Sequence, residues 1–154
     1  MLNFRIVARA ISQVLILEGF LFLLTAGISL LTDERQTAAV FLYSALITLV
    51  TGILVFTPLR NTEKTFGTRE GYIISLFTFL MFSLFGTLPF LLGHITGSFA
   101  DALFESISGF TTTNATIFRD IESLPKGILF WRCLTQWIGG FVTISLSLYV
   151  LPIS

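Results

Sequence analysis

Six consecutive residues carry the chemistry this sequence offers: Thr111, Thr112, Thr113, Asn114, Ala115 and Thr116, a run of small, mostly polar side chains between two strongly apolar segments. In an extended course such a run presents closely spaced carbonyl and hydroxyl oxygens. Carbonyl rings that replace the hydration shell of an ion are the working part of potassium filters. On pattern alone, the same stretch is equally an ordinary exterior turn. Its surroundings decide between the two.

Just upstream, Ser98 followed three residues later by Asp101 matches a capping box, the mark of a helix start. A helix over residues 99–109 is much too short to cross a membrane, and it directs the partial negative charge of its C-terminus at the threonines. A cation is favoured there. Downstream, an apolar segment from Ile128 carries the chain away, which completes the helix, polar turn, helix layout of a re-entrant pore loop. Backbone at membrane depth must be buried in protein or face water, and a threonine-rich loop suits the second solution.

The rest of the chain reads as the bilayer-spanning frame for that loop. Hydrophobic residues make up 54% of the 154 residues, charged residues 12%, and Phe occurs 17 times; mean hydropathy is +0.88. This is the composition of a membrane protein. A formal net charge of zero gives no support for nucleic-acid binding. A spanning helix needs about 20 apolar residues to cross a core of about 30 Å, and four stretches qualify: residues 10–31, 38–57, 72–92 and 128–151. The predicted fold is an all-α membrane protein with four transmembrane helices, one re-entrant pore helix and a filter-like loop. Residues 32–36 form a compact polar turn that makes the first two helices an antiparallel hairpin. Pro58 ends the second helix, and Pro89 kinks or ends the third. The first apolar segment is too long for the core of a cleavable signal peptide.

Arg5, Arg9, Arg60, Lys64 and Arg69 flank one side of these spans, and Arg35, Arg119, Lys126 and Arg132 the other. The first group marks the cytoplasmic face. Both termini are then cytoplasmic, and the loop over residues 93–127 enters from outside.

Several other residues have two readings. Glu18, inside the first apolar segment, is a functional carboxylate by its depth or a paired or near-interface structural one. Asp101 and Glu105, four apart on the short helix, either draw cations to the outer mouth or serve capping and packing. Arg132 snorkels to the interface or pairs with an acidic residue of the loop. Gly139 and Gly140 permit close helix packing beside the pore, or a bend. Trp131 and Trp137 fall where an interfacial aromatic belt is expected. His94 is solvent-facing and incidental, and Cys133 is a small apolar residue packed in a helix. No P-loop, nucleophile elbow, metal-spaced His or Cys cluster or second histidine is present, so neither an enzyme nor a resident cofactor is expected.

The strings Leu103-Phe104-Glu105-Ser106-Ile107-Ser108-Gly109-Phe110-Thr111-Thr112-Thr113, Ser123-Leu124-Pro125-Lys126, Leu129-Phe130-Trp131-Arg132 and Gln136-Trp137-Ile138-Gly139-Gly140 resemble the potassium-translocating membrane subunits of the Trk, Ktr and HKT superfamily, most closely the bacterial TrkH and TrkG type. Thr68-Arg69-Glu70-Gly71 and Leu88-Pro89-Phe90 resemble it too, so the likeness covers essentially the whole chain. The resemblance implies a two-helix hairpin over residues 1–66, followed over residues 67–154 by the first of four helix, pore loop, helix repeats. One chain then supplies one quarter of a filter over residues 111–116, with potassium held at Thr112, Thr113 and Asn114. The remaining repeats come from the same longer chain, the simpler account of an end at Ser154, or from other chains.

The resemblance further implies a multi-pass protein of the inner (plasma) membrane with potassium and the lipid bilayer as its partners, and a cytosolic nucleotide-binding ring of the TrkA type that gates it. At one position the sequence departs from the pattern, with Asn114 standing where the family has glycine. Asparagine is the residue with a side chain that best tolerates the left-handed backbone this glycine supplies, but its amide can crowd the axis or shift the balance between potassium and sodium. The competing reading is a non-conducting membrane interaction subunit or a degenerate transporter fragment.

Overall fold

A computed structural model describes residues 4–60 and 68–150, and among them every regular element is a helix. The order is α1 (Phe4–Leu31), α2 (Arg35–Leu59), α3 (Thr68–Phe85), α4 (Leu88–Leu92), α5 (Phe99–Phe110) and α6 (Lys126–Val150). Lys64 and residues 151–154 lie outside the described residues. Among the described residues, three stretches are long and apolar enough to cross a membrane: Phe4–Leu31, Arg35–Leu59 and Gly71–Leu92. The helix α6 also has a spanning length, 25 residues.

The α1–α2 hairpin is the most closely packed pair of helices. Its interface is built from small residues: a Cβ on Gly19 would come within 2.5 Å of Leu49, and one on Gly52 within 2.9 Å of Ile16. Small residues at the seam let helix backbones approach, the usual basis of helix association in lipid. The hydroxyls on this seam are satisfied within their own helices. Thr25 donates to the Leu21 carbonyl at 2.9 Å, Ser29 to Thr25 at 3.0 Å, Ser44 to Val40 at 2.9 Å and Thr48 to Ser44 at 2.8 Å. Leu17, Phe20, Leu24, Leu46 and Leu54 point outward, more than half exposed, as lipid-facing side chains do. Glu18 is fully enclosed in α1, and neither of its oxygens has a hydrogen-bond partner among the described residues, so the paired alternative finds no partner there.

The expected third span is divided. Its first part ends at Phe85, Gly86 and Thr87 make a turn, and a five-residue helix follows with Pro89 in its first turn. Proline is preorganised for that place because its missing N–H would have had no partner there. Pro89 therefore starts a short helix after the break.

Two devices fasten the hairpin to the rest. Glu34, in the turn between α1 and α2, accepts hydrogen bonds from the Lys126 and Gly127 amides at 2.8 and 3.1 Å. A carboxylate thereby satisfies two orphan donors and sits at the positive end of α6. The second device is an aromatic cluster. Trp131 is 4.5 Å from Phe22 and 6.5 Å from Phe110 between ring centroids, and Phe110 is 4.5 Å from Phe82. Trp131 is completely buried, so it is a core residue that joins hairpin and loop, not a member of an interfacial belt; Trp137, 77% exposed, faces outward.

Candidate functional site

The helix α5 begins where its capping residue predicts. Ser98 is extended, with φ −145° and ψ 161°, and its hydroxyl accepts the Asp101 amide at 3.1 Å. The first turn is open, while the inner turns are enclosed between α3 and α6, burying Ala102, Glu105, Ser106, Ser108, Gly109 and Phe110. Ser106 donates to the Ser83 carbonyl of α3 at 2.6 Å. On the other side Gly109 lies directly against the Thr135 side chain, and a Cβ on Gly139 would come within 2.9 Å of the Phe110 Cα and closer still to its carbonyl. Backbone thus meets backbone at the end of α5, which selects the close-packing role for Gly139, and α6 passes through this contact as one helix.

The last turn of α5 closes in a Schellman motif. The Thr113 amide donates to Ser108 O at 3.2 Å and the Thr112 amide to Gly109 O at 3.0 Å, with Thr112 left-handed at φ 58°. Glycine or asparagine is the usual occupant of that position, and a β-branched residue there is a conformational outlier. Such strain concentrates at functional sites. The hydroxyls of Thr111 and Thr113 lie 2.8 Å apart, and residues 111–114 are all exposed.

Behind this open face the loop is braced. Ser108 donates to the Ala115 carbonyl at 2.6 Å. Glu105 Oε1 accepts from the Thr116 hydroxyl at 2.6 Å and from the Ile117 amide at 2.7 Å, while Oε2 forms an ion pair with Arg132 Nη1. Arg132 also donates to the Thr116 hydroxyl at 3.3 Å and lies 5.5 Å from the centre of the Phe118 ring. Gln136 Nε2 donates to Asn114 Oδ1 at 2.8 Å.

Of the six predicted site residues, Thr111, Thr112, Thr113 and Asn114 share the open face, and Ala115 and Thr116 turn into the brace. Glu105 is 3% exposed, so it braces the loop and does not draw cations at the outer mouth. Arg132 pairs with an acidic residue of the 93–127 loop, as one of its readings had it: Glu105, on α5. His94 is exposed, as read, and Cys133 is exposed, not packed. Ser108, Gln136 and Glu34 carry functional or positioning contacts that sequence reasoning missed. A polar Gln136 within a spanning-length helix was the one available signal.

Long apolar helices and one short capped helix that leads into a braced polar turn make this, among the described residues, an all-helical membrane protein. The chain matches the family described as a cation transport protein, TrkH, over residues 36–154. It is 36% identical over 152 residues to a Trk system potassium uptake protein TrkH of Halomonas elongata, covering 98% of this chain and 31% of that protein. Escherichia coli K12 TrkG, a Trk system potassium uptake protein, is 40% identical over 87 residues, or 56% of this chain and 18% of TrkG. The crystal structure of the potassium transporter TrkH from Vibrio parahaemolyticus superposes with a TM-score of 0.91 at 32% identity, over 99% of this chain and 32% of that one. The chain belongs to the TrkH family of cation transport proteins. It is a multi-pass membrane protein, and it spans about a third of the length of the TrkH relatives it matches.

Proposed function

We propose that this chain provides one quarter of a potassium-conducting filter in a Trk-type uptake system. The observation that carries the reading is the end of α5: a left-handed, β-branched Thr112 opens the exposed run of residues 111–114, and a buried ion pair fixes the loop behind it. The partial charge of a helix C-terminus favours a cation at that point, and carbonyl and hydroxyl oxygens are the ligands that potassium exchanges for water. Potassium is held at Thr112, Thr113 and Asn114, with Thr111, Ala115 and Thr116 completing the segment.

In this reading residues 1–66 form the hairpin and residues 67–154 the repeat, α3 with α4 and α6 being transmembrane and α5 re-entrant. The other repeats come from the same longer chain or from further chains. Both termini face the cytoplasm from the inner membrane, a TrkA-type ring gates the pore, and the chain performs no enzymatic step. The names of the relatives, potassium uptake proteins of Trk systems, support the choice of ion.

The test is rubidium uptake by potassium-depleted cells that express the assembled transporter. Thr112→Phe or Thr113→Phe is expected to abolish saturable uptake with the protein still in the membrane. Normal uptake by both variants would remove residues 111–116 from the ion path and favour a non-conducting interaction subunit.

A further inference from the structure

Among the described residues, four non-glycine residues have a positive φ: Asp33 at 60°, His94 at 50°, Thr112 at 58° and Asn114 at 58°. Helix ends account for three of them. After Asp33 the Glu34 amide bonds to Ser29 O at 2.9 Å, after His94 the Ile95 amide bonds to Phe90 O at 3.0 Å, and after Thr112 the Thr113 amide bonds to Ser108 O at 3.2 Å. Each is the long bond of a Schellman motif. Asn114 closes no helix, so its left-handed backbone needs another cause.

The contacts along α6 supply it. Gly139 lies against Phe110, the Gly140 position lies 3.8 Å from the Thr112 methyl carbon, Gln136 bonds to Asn114, and Arg132 bonds to Thr116. As the loop advances from residue 112 to 116, its contacts retreat along one face of α6, from Gly140 through Gln136 to Arg132, at the spacing of helical neighbours. Gln136 is the middle rung. It holds the only side chain among residues 111–114 that carries an amide.

We infer that Gln136 is a positioning residue for the filter segment, and that its bond to Asn114 is a determinant of alkali-cation selectivity. The inference rests on the proposed reading of residues 111–116 as a filter. With Oδ1 engaged by the Gln136 amide, the Asn114 side chain is drawn toward α6, and the cation meets backbone carbonyls and threonine hydroxyls. Released, the same side chain turns freely about two torsions and offers the ion an additional oxygen. Both the number and the field strength of ligands bear on the choice between potassium and sodium, and an added mobile donor suits the smaller ion. Asn114 thereby keeps the left-handed backbone that glycine would provide, while its amide is stowed.

The experiment is a double-mutant cycle in the assembled transporter, reading rubidium uptake and its competition by sodium for the parent, Gln136→Ala, Asn114→Gly and the double variant. Gln136→Ala is expected to lower discrimination against sodium by about three- to tenfold, the span one ordinary hydrogen bond commands. In the Asn114→Gly background the same substitution is expected to change it by less than about twofold, since no amide remains to be stowed. Gln136→Leu, which keeps most of the bulk but offers the Asn114 amide no hydrogen-bonding group, serves if the alanine variant fails to reach the membrane, and should reproduce the selectivity loss. An equal effect of Gln136 substitution in both backgrounds, or no effect in the parent, overturns the latch. If Thr112→Phe and Thr113→Phe still block uptake in that case, the filter reading stands and the latch alone falls; if they do not block it, the filter reading itself has failed.

Discussion

The hairpin and the loop-bearing half of the chain bury the same kinds of small polar side chain and use them in opposite ways. In α1 and α2, Thr25, Ser29, Ser44 and Thr48 donate to carbonyls one turn back on their own helix. These bonds join nothing to anything else; they make a hydroxyl inexpensive to bury and leave a thin seam for close packing. In α5 and α6 some hydroxyls also bond within their own helix, as Thr135 does to the Arg132 carbonyl, but other polar groups reach across elements: Ser106 to Ser83, Ser108 to Ala115, Glu105 to Arg132, Thr116 and Ile117, and Gln136 to Asn114. A regular helix satisfies its own backbone in lipid, whereas an irregular segment at membrane depth must be given partners by its neighbours. The difference follows from what each region has to hold.

The largest expected effect lies in the brace. Glu105→Ala leaves the Arg132 guanidinium, on a side chain only 9% exposed, without its counter-charge and removes the acceptor for both Thr116 and Ile117. Breaking a buried pair from one side costs about 3–5 kcal/mol, so the purified transporter should lose its monodisperse fraction at markedly lower temperature. Adding Arg132→Leu should recover much of that stability, because an apolar replacement removes the stranded charge, yet transport should stay impaired because the loop has lost its anchor. Parent-like melting of the single variant would mean that the ion pair positions nothing.

Next comes the glycine contact. Gly139→Ala drives a methyl group into the Phe110 backbone, which has no flexible end to yield, and overpacking of this kind costs about 1–3 kcal/mol. Gly27→Ala in the hairpin meets nothing within 4 Å and should leave thermal stability unchanged or slightly raised, since alanine is the better helix former. Equal effects at the two glycines would mean that the contact of Gly139 with the Phe110 backbone does not hold α5 against α6.

What the sequence made legible was local. Hydropathy located the long helices, though it began the first six residues late and ran α3 and α4 together, and Ser98 with Asp101 placed the start of α5 because a cap is written within four residues. Most of the misreadings involve partners distant along the chain. Trp131 looks like a belt residue until Phe22, more than a hundred positions away, is found against its ring. Glu105 shares a helix face with Asp101, but depth decides their fates: the first turn of α5 is open, and the turn holding Glu105 is wedged between α3 and α6. The Glu34 cap on α6 joins residues over ninety positions apart, and no periodicity reports it. The exposure of residues 111–114 was visible because small polar residues between apolar segments form an open turn on either reading of them; the bracing behind it was not, because a single Glu, Arg or Gln carries no address.

The smallest expected effect separates the two uses of a hydroxyl most directly. Thr48→Val deletes a bond that Thr48 makes to its own helix, and valine fills nearly the same space without leaving any other side chain unpaired. The Ser44 carbonyl keeps its place in the helical ladder. Ser106→Ala deletes a bond of similar length, 2.6 Å, but one that ties α5 to α3 and leaves the Ser83 carbonyl without that donor. An ordinary hydrogen bond contributes about 0.5–1.5 kcal/mol net, and the cost rises when a buried partner is left unsatisfied. Thr48→Val should therefore fall within about 0.5 kcal/mol of the parent, as neutral replacements do, while Ser106→Ala should cost about 1–2 kcal/mol and lower rubidium uptake along with it. Side-by-side melting of the two variants in the same detergent reads the difference. If they melt together, hydroxyls in the repeat act as fillers like those of the hairpin, and the bracing of the loop rests on the ion pair and the glycine contact alone.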